Sequence, residues 1–342
     1  MSADDLNVIL EIGLEMAGVD NRPYLFLDEI QNIKGWEKFV RRIADMKYRI
    51  NITGSNSKML SSEIASTLGG RFMIVDIYPY SFPEYLLAQG KNKNYLDILS
   101  TKDRAEVLGM YDQYVKYGAF PELVGIRNKR EFLNSIYQTI YLGDIITRNK
   151  ITNDFAVRLI LKKIAESITK PLSFNRLGNI LKSAGAAIGK QTVINYVGYM
   201  MESYMLFTLQ NYAAKLIQKE TSPKYYFMDT GLLGLMLMDC SSAQLENLVA
   251  IELIRRFGRE KVFYFENNVE IDFYIPEEKL AIQVSMQVLD QIETREREIG
   301  AFLKLRNFIE GARCILITNS EEAELDCDGI HVSVVPAWKW LL

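Results

Sequence analysis

Four apolar residues, Tyr24-Leu25-Phe26-Leu27, run straight into Asp28-Glu29. Two adjacent carboxylates at the C-terminal end of a strand suit nucleoside-triphosphate hydrolysis. The first holds Mg²⁺, usually through water, and the second polarises the water that attacks the γ-phosphate. This is the Walker B arrangement, and it needs both groups at the carboxyl edge of a parallel sheet, where a nucleotide lies. A solvated strand end gives the same string, so the surroundings must decide between the two.

A second acidic set lies in the last third of the chain. Glu246 falls in a helical stretch, Asp272 lies in Glu270-Ile271-Asp272-Phe273, and Gln283-Val284-Ser285 begins eleven residues beyond Asp272. A nuclease of the restriction-endonuclease type places one acid on a helix, a second at a strand end and an E/Q-x-K pair on the next strand. Its carboxylates hold Mg²⁺ and its lysine helps orient the attacking water. Here serine stands at the lysine position and Gln283 offers only a neutral oxygen. The expectation is a degenerate nuclease-like remnant of Glu246, Asp272, Gln283 and Ser285, kept for assembly or binding. Lys261 or Lys279 could replace the lysine only if the fold brought them in.

The third set could read nucleic acid. Lys190, Gln191, Thr192 and Asn195 open a predicted helix behind a Gly/Ala-rich turn, and these side chains would reach base edges if that helix entered a major groove. Residues 171–222 carry Arg176, Lys182, Lys190, Lys215 and Lys219 against Glu202 and Glu220, a local charge of +3. Tyr196, Tyr199, Met200 and Tyr204 read as the buried face of the same helix. His331 has no nucleophile near it in sequence and reads as packing or surface.

The elements that must position these groups follow from periodicity. Leu6, Ile9, Leu10, Gly13, Leu14 and Ala17 predict a helix over 1–20, ending at Gly18. Tyr24 to Leu27 predicts a strand buried on both faces of a parallel sheet. A helix over 36–46, a strand over 49–53 and a third strand over 72–77 follow, giving an α/β order. Residues 85–170 read as mostly helical. Ser173 caps a helix through Lys182, a second helix starts near Lys190, and β-type segments at 207–211 and 225–228 complete a winged helix-turn-helix. The pattern beyond is a helix over 245–257, strands over 262–265, 270–275 and 280–285, a helix over 291–305 and a strand over 314–318.

The strings Leu27-Asp28-Glu29-Ile30-Gln31, Ile52-Thr53-Gly54-Ser55-Asn56, Leu68-Gly69-Gly70-Arg71 and Pro79-Tyr80-Ser81-Phe82-Pro83-Glu84 resemble a large family of prokaryotic AAA-type ATPases. So do Lys224-Tyr225-Tyr226-Phe227-Met228-Asp229-Thr230-Gly231-Leu232 and Glu246-Asn247-Leu248-Val249-Ala250 further on. The resemblance implies an α/β fold in four parts. These are a truncated AAA-type core over 1–84, an incomplete P-loop parallel sheet with the Walker B and sensor strands, and a helical region over 85–170. A winged helix-turn-helix over 171–235 and a C-terminal restriction-endonuclease-like α/β domain over 240–342 complete them. It further implies that Asp28 and Glu29 are catalytic with Asp28 on the metal, that Ser55 or Asn56 reads the γ-phosphate, and that Arg71 contacts phosphate. ATP and Mg²⁺ are the implied cofactors. The alternative is a non-catalytic, DNA-associated or protein-binding module in which both acidic sites are relics.

The family's GxxxxGK[ST] loop, whose amides and lysine hold the phosphates, does not occur in the sequence. Gly90-Lys91 has Tyr85 and Asn92 where glycine and Ser/Thr belong, and Gly189-Lys190 is one residue short after Gly185 and is followed by Gln191. Two expectations compete, an incomplete gene reading and a paralogue that has lost nucleotide binding, and in either case the chain by itself is expected to be inactive on ATP.

Composition narrows the rest. Lys plus Arg number 40 against 43 Asp plus Glu, a net charge of −3, so no whole-molecule positive field recruits nucleic acid or anionic lipid. One histidine excludes an HExxH zinc site, and three cysteines without CxxC spacing disfavour a disulfide framework. Acidic residues at the start, and no apolar run of about 18 residues, argue against a signal peptide and a membrane span. The expected compartment is the cytoplasm.

Overall fold

A computed structural model describes residues 3–17, 24–30, 33–55, 72–91, 100–186 and 188–342. They form two compact units, Met1–Ile77 with Glu202–Tyr204, and Tyr78–Met201 with Met205–Leu342.

In the first unit, helix α1 (Ala3–Ala17) precedes strand β1 (Tyr24–Leu27), helix α2 (Trp36–Asp45) and strand β2 (Arg49–Ile52). The two strands pair in parallel, Tyr24 against Arg49 through Leu27 against Ile52. Helix α2 starts at Gly35, whose φ of 80° opens the turn. Its Trp36, Phe39, Val40 and Ile43 lie at i, i+3, i+4 and i+7, one buried stripe that packs with Leu6, Ile30 and the half-buried Leu25, Leu27, Ile50 and Ile52. The strands alternate instead of burying both faces: Tyr24 is 57% and Phe26 76% exposed. The expected third strand is also absent. Residues 72–77 are irregular, with Met73, Ile74, Val75 and Ile77 exposed, because a strand needs a ladder partner and these have none among the described residues.

The second unit opens with helix α3 (Phe82–Ala88). Ser81 accepts from the Glu84 amide while Glu84 accepts from the Ser81 amide at 2.7 Å, a reciprocal capping box. Helices α4 (Thr101–Tyr117), α5 (Lys129–Gln138) and α6 (Asp154–Ala165) follow, α5 running on through Thr147 in wider π-type turns. Ser173 caps α7 (Phe174–Ser183), and α8 (Lys190–Glu202) follows it. Next come β3 (Leu206–Asn211), α9 (Leu216–Thr221), β4 (Lys224–Phe227), α10 (Thr230–Met236), α11 (Ser241–Phe257), β5 (Phe263–Glu266), β6 (Glu270–Ile275) and β7 (Leu280–Ser285). The chain ends with α12 (Ile292–Leu305), β8 (Arg313–Thr318), β9 (Ala323–Cys327), β10 (Ile330–Pro336) and α13 (Ala337–Trp340).

One eight-stranded mixed sheet, ordered β4-β3-β5-β6-β7-β8-β10-β9, organises this unit. The hairpin β3/β4 read as a wing is its edge, joined on through β3 and β5 at Gln210–Phe263 and Asn211–Tyr264. Strand alternation then builds two cores. Leu280 and Ile282 share one with Leu248, Ile251 and other α11 residues, whereas Ala281 and Leu316 share the other with Phe302 and Leu305 of α12. Tyr204, expected on a buried face, is 38% exposed with φ 53°, beyond the end of α8 where helical spacing no longer governs it. No helix among the described residues is long and apolar enough to cross a membrane.

Candidate functional site

The parallel register of β1 and β2 sets their C-terminal ends side by side. Leu27 pairs with Ile52 and its carbonyl accepts the Thr53 amide at 3.0 Å, so Asp28 and Glu29 meet the chain at 53–55. The Thr53 hydroxyl donates to Asp28 Oδ1 and accepts from the Glu29 amide at 3.3 Å, while Ser55 Oγ donates to Glu29 Oε2 at 3.1 Å. Glu29 holds φ at 48°, a left-handed turn that separates the two side chains as the chain leaves the sheet. Two carboxylates, each oriented by a hydroxyl from the neighbouring strand, therefore stand at the carboxyl edge. Thr53 was legible only as part of a strand; its bridging role depends on a register that the sequence does not state. Asn56 and Arg71 lie outside the described residues.

In the second unit the fold brings Glu246, Asp272 and Gln283 together, and adds a residue that sequence reasoning missed. Lys224, first residue of β4, is fully buried, with Nζ at 3.0 Å from Glu270, 3.5 Å from Asp272 and 3.7 Å from Glu246. Tyr226 donates to Glu246 Oε1 at 2.8 Å. Gln283 spends its amide on the backbone, accepting from the Asp272 amide at 2.8 Å and donating to the Glu270 carbonyl at 3.1 Å. Asp272 Oδ2 accepts the Val284 amide at 2.9 Å. Ser285 donates to the Gln287 carbonyl, and Lys261 pairs with exposed Glu277, so neither supplies the site. Lys279 occupies a left-handed turn, φ 47°, after Glu278.

Burial pulls the Lys224 ammonium down, yet the surrounding Glu246, Asp272 and Glu270 hold it above the ordinary lysine value. Burial pushes Glu246 up to about 8 against the pull of Lys224, and pushes Asp272 up in the same way. Three carboxylates share one cation, so the cluster retains excess negative charge that a low-dielectric site resists.

The other landmark strings have structural roles in this unit. Asn247 accepts from the Phe227 amide at 2.7 Å and donates to the Phe227 carbonyl at 2.9 Å, satisfying the outer edge of β4 as a neighbouring strand would. Tyr114 donates to the Tyr80 carbonyl at 2.9 Å, and Arg255 donates to the Pro79 carbonyl at 2.7 Å, which fixes the 79–84 segment. Lys190, Gln191 and Asn195 are exposed at the start of α8, with Gln191 donating to Asn195 at 3.1 Å, while Thr192 is half-buried. His331 is exposed and lies between Asp326 at 2.8 Å and Glu324 at 3.0 Å, carboxylates that raise its pKa. A cleft of about 490 Å³ beside Lys116, Arg130, Cys240 and Gln244 includes none of the predicted site residues.

An AAA domain profile matches residues 2–86, a span that includes the strand-end carboxylates; a domain of unknown function (DUF8612) matches residues 108–243. An uncharacterized protein of Methanocaldococcus jannaschii, MJ1544, is 33% identical over the whole of this chain and 79% of its own length. An uncharacterized protein of Haemophilus influenzae is 29% identical over 95% of the chain and 79% of its own length. The chain belongs to the family of the M. jannaschii protein.

Proposed function

We propose that this is an AAA-type ATPase whose first unit supplies the metal-holding and water-activating half of a nucleotide site. The observation that supports it most is the pairing of Asp28 with Thr53 and of Glu29 with Ser55 across adjacent parallel strands. Mg²⁺ would be held at Asp28 through water and would neutralise the phosphates; Glu29 would orient the attacking water, with Ser55 as the group that senses phosphate through it. Among the described residues no three His, Cys, Asp or Glu side chains group to hold a metal by themselves. A metal at Asp28 therefore takes its remaining ligands from water and nucleotide, as such sites ordinarily do. Hydrolysis also needs a phosphate-binding loop, which these 342 residues do not encode.

ATP turnover tests this directly. The 342-residue chain is expected to release no phosphate from ATP. A chain extended upstream in frame to include a GxxxxGK[ST] loop is expected to hydrolyse it, with Glu29→Gln lowering kcat about 10²-fold or more. An extended chain that binds ATP yet is unaffected by Glu29→Gln would remove the reading.

A second reading, DNA association, is favoured by the exposed Lys190, Gln191 and Asn195 at the head of α8. Fluorescence anisotropy with labelled duplex should then show affinity that falls as salt rises, and Lys190→Ala should lower the salt slope by about one. Flat titrations at low salt would leave α8 a structural helix.

A further inference from the structure

The nuclease-like pattern calls for a divalent cation between Glu246 and Asp272, and the position between them already holds a cation. Lys224 enters from β4, on the opposite side of the pattern from the vacant lysine position at 285. Its Nζ lies within 3.0–3.7 Å of Glu270, Asp272 and Glu246. The remaining donors are committed elsewhere. Gln283, where a metal-binding carboxylate oxygen would be expected, accepts from the backbone of Asp272 and donates to that of Glu270. One oxygen of Asp272 accepts the Val284 amide, and one oxygen of Glu246 accepts the Tyr226 hydroxyl. Ser285 is turned to the Gln287 carbonyl. With the ammonium among them, the oxygens of Glu246, Asp272 and Glu270 therefore leave no room for Mg²⁺, which demands near-octahedral oxygens at short range.

We propose that Lys224 is a built-in replacement for the divalent cation of this site. The ammonium offsets part of the charge of the converging carboxylates, and by doing so ties β4 to α11 and β6. The domain consequently takes up no Mg²⁺ or Mn²⁺ there and cleaves no phosphodiester bond. This goes beyond the ATPase reading and does not depend on it, since it concerns the other unit.

The test is Mn²⁺ binding followed by electron paramagnetic resonance on the full 342-residue chain at pH 7.5, beside its Asp272→Asn and Lys224→Met variants. The wild type and Asp272→Asn are expected to leave the free Mn²⁺ signal equal, and neither EDTA nor added Mg²⁺ should move the thermal midpoint. Lys224→Met exposes three carboxylates to one another and is expected to gain about one bound Mn²⁺, with its midpoint rising on Mn²⁺ addition. One Mn²⁺ bound by the wild type and lost in Asp272→Asn overturns the proposal, as does Asp272-dependent nicking of supercoiled plasmid. A folded Lys224→Met chain that takes no Mn²⁺ overturns it too, because a true stand-in leaves a cation site when removed. If that variant does not fold, the wild-type comparison with Asp272→Asn decides alone.

Discussion

Lys224→Met is expected to destabilise the second unit by about 3–5 kcal/mol at pH 8, the range for removing one partner of a buried ion cluster. The methionine fills most of the lysine's volume, so the loss is chiefly of charge. Its pH dependence follows from the directions of the shifts. Glu246, raised to about 8, and Asp272, also raised, bind protons more tightly folded than unfolded. Their contribution to stability grows as pH falls toward the unfolded values and is lost as pH rises through the folded ones. Lys224 is raised above its unfolded value, so its contribution is present at neutral and acidic pH and is lost only at strongly alkaline pH. With the lysine gone, the carboxyls must protonate or repel. The penalty should therefore be largest at pH 8 and shrink toward pH 5. Urea denaturation at the two pH values measures it, and Trp36→Phe in the background leaves Trp338 and Trp340 to report on this unit. An equal penalty at both would reduce the role of Lys224 to packing.

Gly118→Ala should cost a comparable amount, about 3–5 kcal/mol. Gly118 has φ 79° and ψ −165°, a region that only glycine occupies freely, and a side chain there costs about 1–3 kcal/mol in backbone strain alone. A Cβ would also lie 1.9 Å from Asp229 Oδ1, so the carboxylate would have to move. Asp229 is buried and accepts three backbone amides: Ala119 at 2.7 Å, Gly231 at 2.8 Å and Leu232 at 3.3 Å. Displacing it orphans donors at the start of α10 and beyond the end of α4, each worth about 1–3 kcal/mol when left unpaired in the interior. Gly125→Ala is the control: φ is 81°, nothing lies within 4 Å of the added Cβ, and only about 1–2 kcal/mol of conformational cost is expected. Differential scanning calorimetry on both variants separates strain from collision. Similar midpoints would mean that Asp229 yields without loss.

Asp229 carries its own pH signature. Burial raises its pKa to about 6 against the pull of the Ala119, Gly231 and Leu232 amides. A raised carboxyl contributes most below its unfolded value and loses that contribution as pH rises through about 6. Asp229→Asn should therefore be less destabilising at pH 7.5 than at pH 4.5.

Much of this architecture was written in local pattern. Ser173 with its helix, the α2 stripe from Trp36 to Ile43, and the strands at 270–275 and 280–285 depend on capping and on periods of 3.6 and 2, which neighbouring residues set. Ser81-x-x-Glu84 was an equally local signal for α3, and only its place in a longer string was read. By contrast, β9 and β10 went unread: Ala323–Cys327 alternates acidic and apolar residues, as suits the outer edge of the sheet, whereas Ile330–Pro336, one strand further in, carries Ile330, Val332 and Val334 in the ordinary period of 2. The irregular run at 72–77 reads as a strand by composition, and only pairing decides that.

The acidic sites divide the same way. Asp28 and Glu29 were identifiable as a strand-end pair because adjacency in sequence places them together; Thr53 became their bridge only through the register of β1 with β2. Glu246, Asp272 and Gln283 were identifiable because the order of helix and strands carries them to one place. Lys224 was not, since it stands 22 positions before Glu246 in sequence and on β4, three places along the sheet from the β6 strand of Asp272. The sequence by itself determined that Glu246 and Asp272 converge, because that depends on local elements and their order; that Glu270 joins them was decided, like the cation, by the packed structure. Which cation meets them was decided by tertiary structure, because a buried charge takes whatever partner the packing of β4 against α11 delivers.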